Sequence, residues 1–231
     1  MKILVLVAME KELSLLLNIM RNKEKKCISN LTYNEGVIAD KEIVAAKCGI
    51  GKVNSAINTL RLIQIVKPDM VINTGVAGGV DGELKVGTVL IADEVAYHDV
   101  WCGPGTEYGA ADGFPCKMKP SASLLSVAKE LYKDREDVKF GLICSGDKFL
   151  HHKDEVVEIK RNFDDAKAVD MESASIMQTA ISEGLPAAII RVMSDTPGCG
   201  DNVSQYENFW DKAPEKTFEC LVAIIDSLDH E

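Results

Sequence analysis

Three short acidic clusters carry most of the chemical potential of this 231-residue chain. Glu10 and Glu12 follow an apolar run, Asp170-Met171-Glu172 follows another, and Ser194-Asp195 follows a third. A carboxylate at the mouth of a cleft can deprotonate water, and one whose pKa is raised can arrive protonated and donate. A carboxylate at a strand's end can also accept hydrogen bonds from two vicinal hydroxyls, which is what a ribose offers. Each cluster has a plain structural reading as well. Glu10 and Glu12 in a helix's first turn would complement its dipole. Asp170 could be an N-cap with Glu172 in the first turn, and Ser194-Asp195 could cap a short turn before Pro197. Taken singly, no cluster separates the two readings; three carboxylates at three strand ends of one sheet are stronger together.

Other chemistries find less support. The stretch Gly75-Val76-Ala77-Gly78-Gly79 lacks the GxGxxG spacing of a dinucleotide site, and Cys48-Gly49-Ile50-Gly51-Lys52-Val53 lacks the first glycine and the hydroxyl residue of a phosphate loop. His98, His151, His152 and His230 have no partner at metal-ligand spacing, so neither metal nor cofactor is expected. No serine sits in a GxSxG context, and Cys144 reads as core. The seven cysteines include no CxxC pair, which suits a reducing cytosol.

The formal net charge of −10 speaks against a nucleic-acid binder, and the short basic cluster from Arg21 to Lys26, interrupted by Asn22 and Glu24, reads as a solvated helix end or loop. No stretch approaches the roughly 18–20 apolar residues of a membrane helix. The apolar start, Ile3 to Met9, is too short for a signal peptide before charge arrives at Glu10. With 46% hydrophobic and 27% charged residues, the expectation is a soluble cytoplasmic protein.

The elements that must position these clusters follow from apolar periodicity. Buried strands are expected at 3–8, 43–47, 70–73, 88–95, 138–144, 166–170 and 187–193. Another strand-like run precedes a turn at 36–41. Amphipathic helices are expected from Met9 to Met20, Val53 to Ile63, Leu124 to Tyr132, Asp154 to Arg161, Glu172 to Ser182, and after Pro214. Residues 75–79 read as a glycine-rich turn. Strands alternating with helices predict a single α/β domain, residues 1–231, with a central mixed, mostly parallel sheet flanked by helices. In such sheets ligands collect at the carboxyl ends of strands, where all the unusual clusters fall.

These clusters occur in order with Gly49-Ile50-Gly51-Lys52-Val53, Asn73 to Gly79, Tyr97-His98-Asp99, Ser145 to Phe149 and Arg191 to Asp195. Together they resemble the 5′-methylthioadenosine/S-adenosylhomocysteine nucleosidases of the nucleoside phosphorylase superfamily. The resemblance implies a nucleosidase that releases adenine without a cofactor. In it Glu12 activates water, Glu172 grips the ribose hydroxyls beside Met171, and Asp195, steadied by Ser194, protonates the leaving base. Phe149 would stack on the purine and the backbone around Leu150 would read its edge. Met9 and Ile50 would line an apolar 5′ pocket, with Val76, Ala77 and Gly78 against the substrate. A homodimer is also implied, the partner's loop 103–115 helping to close that pocket.

Two departures from the family pattern are visible: Val76 where serine is common, and the loop 100–114. Competing readings are a purine nucleoside phosphorylase, a hydrolase of futalosine or AMP, and a nucleoside-binding module without catalysis. Glu10 and Glu12 would repel phosphate, which disfavours the first, and the apolar Met9 and Ile50 disfavour AMP.

Overall fold

The computed structural model describes residues 1–212 and 214–228, so His230 lies outside the described residues. The N-terminal apolar run is β1 (Lys2–Val7), buried on both faces: Ile3, Val5 and Val7 enter one core, Leu4 and Leu6 the other. Burying each such aliphatic side chain contributes roughly 1.5–3 kcal/mol, which fixes β1 at the centre of the sheet. After it come α1 (Glu10–Ile19), β2 (Arg21–Ile28), β3 (Leu31–Ile38), β4 (Lys41–Lys47) and α2 (Lys52–Val66). The middle of the chain forms β5 (Met70–Gly79), β6 (Val89–Tyr97), the short β7 (Lys117–Met118), α3 (Ala122–Tyr132) and β8 (Val138–Ser145). The last third is α4 (Lys153–Asn162), β9 (Ala166–Asp170), α5 (Ser173–Ser182), β10 (Ala187–Asp195), α6 (Asn202–Lys212) and α7 (Pro214–Asp226).

All ten strands belong to one sheet. It is mixed, as expected, with five parallel and five antiparallel pairings among the described residues. Strands β5, β10, β6, β8 and β9 close on one another as a ring, while β1, β4, β3 and β2 extend from β5 as an open arm. Helices α1, α3, α6 and α7 contribute to one core, and α2 and α5 pack on the other side of the sheet.

The junction of ring and arm makes the crevice. One edge of β5 pairs with β1 through Met70 to Asn73 and, further along, with β9 through Gly78 and Gly79. Between them, Thr74 to Ala77 have no strand partner on that edge among the described residues, while β10 continues along the other. Main-chain groups left without a strand partner in this gap are free to meet side chains.

Three local expectations change. Residues 75–79 are not a turn but the end of β5, with Gly75 to Gly78 in register with Arg191 to Asp195 of β10. The glycines there remove Cβ atoms rather than bend the chain. The basic cluster is not a helix end or loop but the first part of β2, an edge strand exposed over most of its length and paired, among the described residues, only with β3. Charge blunts such an edge, and with neither face buried it shows no alternation to read. The turn expected at 36–41 narrows to Ala39-Asp40, both at positive φ, as a two-residue hairpin requires, leaving Gly36 inside β3.

Candidate active site

Glu12 is the third residue of α1, and its Oε2 accepts 2.9 Å hydrogen bonds from the N–H groups of Ala8 and Met9. The helix-start reading of this residue is therefore correct. Its other oxygen, Oε1, accepts the Val76 N–H at 3.2 Å, within the unpaired stretch of β5. A Cβ at Gly75 would lie 2.6 Å from that oxygen, so glycine is what makes room for the carboxylate. Glu12 is almost fully buried, and desolvation outweighs its three N–H donors and the nearby Arg191, raising its pKa. Glu10, by contrast, is an exposed residue paired with Lys47 at 3.2 Å.

Glu172 caps the N-terminus of α5, immediately beyond β9. Its Oε1 accepts the Gly51 N–H at 2.9 Å. Burial, reinforced by repulsion from Asp170, lifts its pKa to about 7. Asp195, at the end of β10, accepts Ser194 Oγ at 2.7 Å and Asn202 Nδ2 at 3.1 Å. Both bonds favour the anion, yet burial dominates and the pKa is raised. Asp170 turns away from this role: it accepts the Ser145 hydroxyl at 2.5 Å, also accepts the Ser173 hydroxyl, and pairs with buried Arg191 at 2.8 Å.

Glu12, Glu172 and Asp195 line one cavity of about 300 Å³. With them stand Met9, Ile50, Val76, Ala77, Gly78, Phe149, Met171 and Ser194, all expected from the sequence. Leu150 does not line it. Its side chain packs in the core with Ile159 and Phe163, because an apolar branch gains more there than at the rim. Its carbonyl accepts Asn202 Nδ2 at 3.2 Å.

Three contributors were missed. Tyr206 reaches the wall from α6, its hydroxyl 3.3 Å from Met9 Sδ and its ring edge-on to Phe149. Asn202, one helical turn earlier, holds Asp195. Arg191 sits behind the wall, bonded to Asp170 and Asn73. The i, i+4 pair Asn202/Tyr206 with Phe209 and Trp210 is a helical stripe that apolar spacing could have revealed. Arg191 in an apolar strand was itself a signal, since a buried cation requires a buried acid.

No lysine or arginine lines the cavity among the described residues. The arrangement offers one acid held by neutral donors, one buried base beside unpaired main chain, and one carboxylate free to accept further hydrogen bonds. Such a set can assist a leaving group and activate water on the same substrate.

Comparison with known proteins points the same way. The family model of the phosphorylase superfamily matches residues 2–226. The 5′-methylthioadenosine/S-adenosylhomocysteine nucleosidase of Lysinibacillus sphaericus is 39% identical over 231 residues, covering 99% of this chain and 100% of its own. The crystal structure of S-adenosylhomocysteine nucleosidase from Streptococcus pyogenes in complex with 5-methylthiotubericidin superposes with a TM-score of 0.94 at 33% identity. That match covers 100% of this chain and 98% of that one. Futalosine hydrolase of Helicobacter pylori shares the fold at TM-score 0.90 and 29% identity, with 98% of each chain covered. With a full-length family match and relatives this similar over their whole length, the chain belongs to the phosphorylase superfamily, among its 5′-methylthioadenosine/S-adenosylhomocysteine nucleosidases.

Proposed function

We propose that this chain hydrolyses the N-glycosidic bond of 5′-methylthioadenosine and S-adenosylhomocysteine, with 5′-deoxyadenosine as a further substrate, in methionine salvage. The products are adenine and the 5′-substituted ribose. The observation that carries this reading is the convergence on one cavity of three buried carboxylates besides the Arg191-paired Asp170, without a cationic lining among the described residues.

As the bond to the base breaks, its electron pair goes to the purine and positive charge grows on the sugar. Protonated Asp195 delivers its proton to the purine's imidazole nitrogen. Burial supports that protonation state. Water attacks the anomeric carbon and gives its proton to Glu12, whose raised pKa brings it nearer the operating pH of a base. Ionised Glu172 accepts the ribose hydroxyls and stabilises the cationic sugar. Phe149, 42% exposed at the rim, offers a ring face to the base. Met9, Ile50 and Tyr206 leave a mostly apolar end for the 5′ substituent.

The whole chain, residues 1–231, acts in this reading as one catalytic unit in the cytoplasm, with no cofactor, metal, nucleic acid or membrane partner. No helix among the described residues is long and apolar enough to cross a membrane. The active form is a homodimer. Ile50, Val53, Ile57 and Trp101 are all at least half exposed, an apolar cost that a second copy would remove, bringing its loop 103–115 to the 5′ pocket.

Phosphorolysis needs a cationic cradle, and Arg191 is already committed to Asp170 and Asn73. Incubation with methylthioadenosine in phosphate-free buffer should release adenine and free methylthioribose. A reaction that starts only on adding phosphate rejects hydrolysis. Release from futalosine but not from methylthioadenosine moves the assignment to a futalosine hydrolase.

A further inference from the structure

The Tyr97-His98-Asp99 and Ser145-Gly146-Asp147 segments have no part in the chemistry above, yet they meet beside Glu172. Lys52 Nζ lies 2.6 Å from Asp99 Oδ1 and 3.9 Å from Asp147 Oδ2. The Lys52 N–H donates to Asp147 Oδ1 at 2.7 Å, and the Asp147 N–H donates to Asp99 Oδ2 at 2.9 Å. The His98 N–H donates to the Ser145 carbonyl at 2.9 Å, so the two segments are sewn together before Lys52 joins them. A Cβ at Gly146 would lie 2.3 Å from the His98 ring, and one at Gly51 would lie 3.0 Å from Asp147 Oδ1. Gly51 itself has φ +88, a backbone state in which a side chain would be strained.

The residue preceding Lys52 is Gly51, whose N–H is the donor to Glu172. We propose that Lys52, clamped between Asp99 and Asp147, is a positioning residue that holds the 49–51 turn so that the Gly51 N–H stays on Glu172. The inference rests on the hydrolase reading for its catalytic consequence, but not for the clamp itself. Among the described residues only one oxygen of Glu172 is engaged, so the bond sets the direction of the carboxylate and favours its ionised form. Without it, Glu172 faces Asp170, Glu12, Cys48 and Tyr206, none of which favours the anion, with Arg191 as the opposing cation. The Tyr97 ring, 5.5 Å from Lys52 Nζ, is the other neighbour of the clamp.

The test compares wild type with Lys52→Met and Lys52→Arg. The Glu172 carboxyl is followed by carbon NMR of labelled glutamate, assigned with Glu172→Gln, alongside pH profiles of methylthioadenosine hydrolysis. Lys52→Met should move the Glu172 titration and the acid limb of kcat/KM upward by about one unit. KM should rise about fivefold at pH 7, while kcat at pH 9 changes by less than about threefold. Lys52→Arg, which keeps a cation between the two carboxylates, should return the limb towards its wild-type position. A folded Lys52→Met protein with an unmoved titration and limb overturns the proposal. Should that variant not fold, Asp99→Asn is read the same way, with a smaller upward shift expected and none overturning it. If wild type releases no adenine, the hydrolase reading fails, and the carbon titration still decides the clamp.

Discussion

Two helix starts in this molecule are built alike and behave in opposite ways. Glu12 and Glu155 are each the third residue of a helix, and each accepts two backbone N–H groups at 2.9 Å from the residues just before it. Glu155 also meets Lys148 at the surface, and its pKa falls to about 2. Glu12 lies under the sheet junction, and its pKa rises. The local motif is the same. What differs is whether water and a cation remain within reach, and desolvation decides the sign.

The contrast sets opposite stability terms. Glu12, Glu172 and Asp195 have raised folded-state pKa values, so the folded protein binds more protons than the unfolded chain above the ordinary carboxylate range. Their contribution is present at low pH and lost as pH rises, for Glu172 up to about 7. Glu155 runs the other way: its contribution is present at neutral pH and lost as pH falls from about 4.5 towards 2.

The largest expected effect is at the acid. Asp195→Asn should lower kcat/KM for methylthioadenosine by about a thousandfold or more, read by adenine release. Retained activity would leave the base departing without its proton donor. Next, Glu12→Gln should cost about a hundredfold or more in kcat while raising the melting temperature at pH 8 by about 2–4 °C. A variant that loses both activity and stability would show that Glu12 serves mainly as a cap. The pH profile sharpens the comparison further. Since Glu172 must be ionised, kcat/KM in wild type should rise through an acid limb near 7, well above where an exposed glutamate would place it. The smallest effect belongs to the surface twin: Glu155→Gln should lower the melting temperature at pH 7 by about 1–2 °C, with kcat unchanged. A drop in activity there would mean that α4 is coupled to the site.

Strands within the open arm also differ in how openly they can be read. In β1 and β4 a continuous apolar run meets buried faces on both sides, and the expected strands match the observed ones. In β2 the same backbone pairing is made by Arg21 to Ile28 with the side chains exposed over most of the strand, and periodicity carries no signal. The glycines of β5 misled for a related reason. Glycine marks both turns and close approaches, and only the position of Glu12 over Gly75 and of Pro197 over Gly78 shows which applies.

From residue type and spacing alone came the α/β class, most of the elements, and the candidacy of three acidic clusters, because burial of apolar runs and the chemistry of carboxylates are local properties. The choice of Glu12 over Glu10 and of Glu172 over Asp170 came from the family resemblance. Convergence was not local. Glu12 meets Val76 across 64 positions and Glu172 meets Gly51 across 121, and such contacts exist only once the ring closes and β1 parts from β9. The tertiary structure likewise placed Tyr206 and Asn202 at the site and turned Leu150 into the core. It also raised three pKa values together, since desolvation depends on everything that surrounds a group and not on its neighbours in the chain.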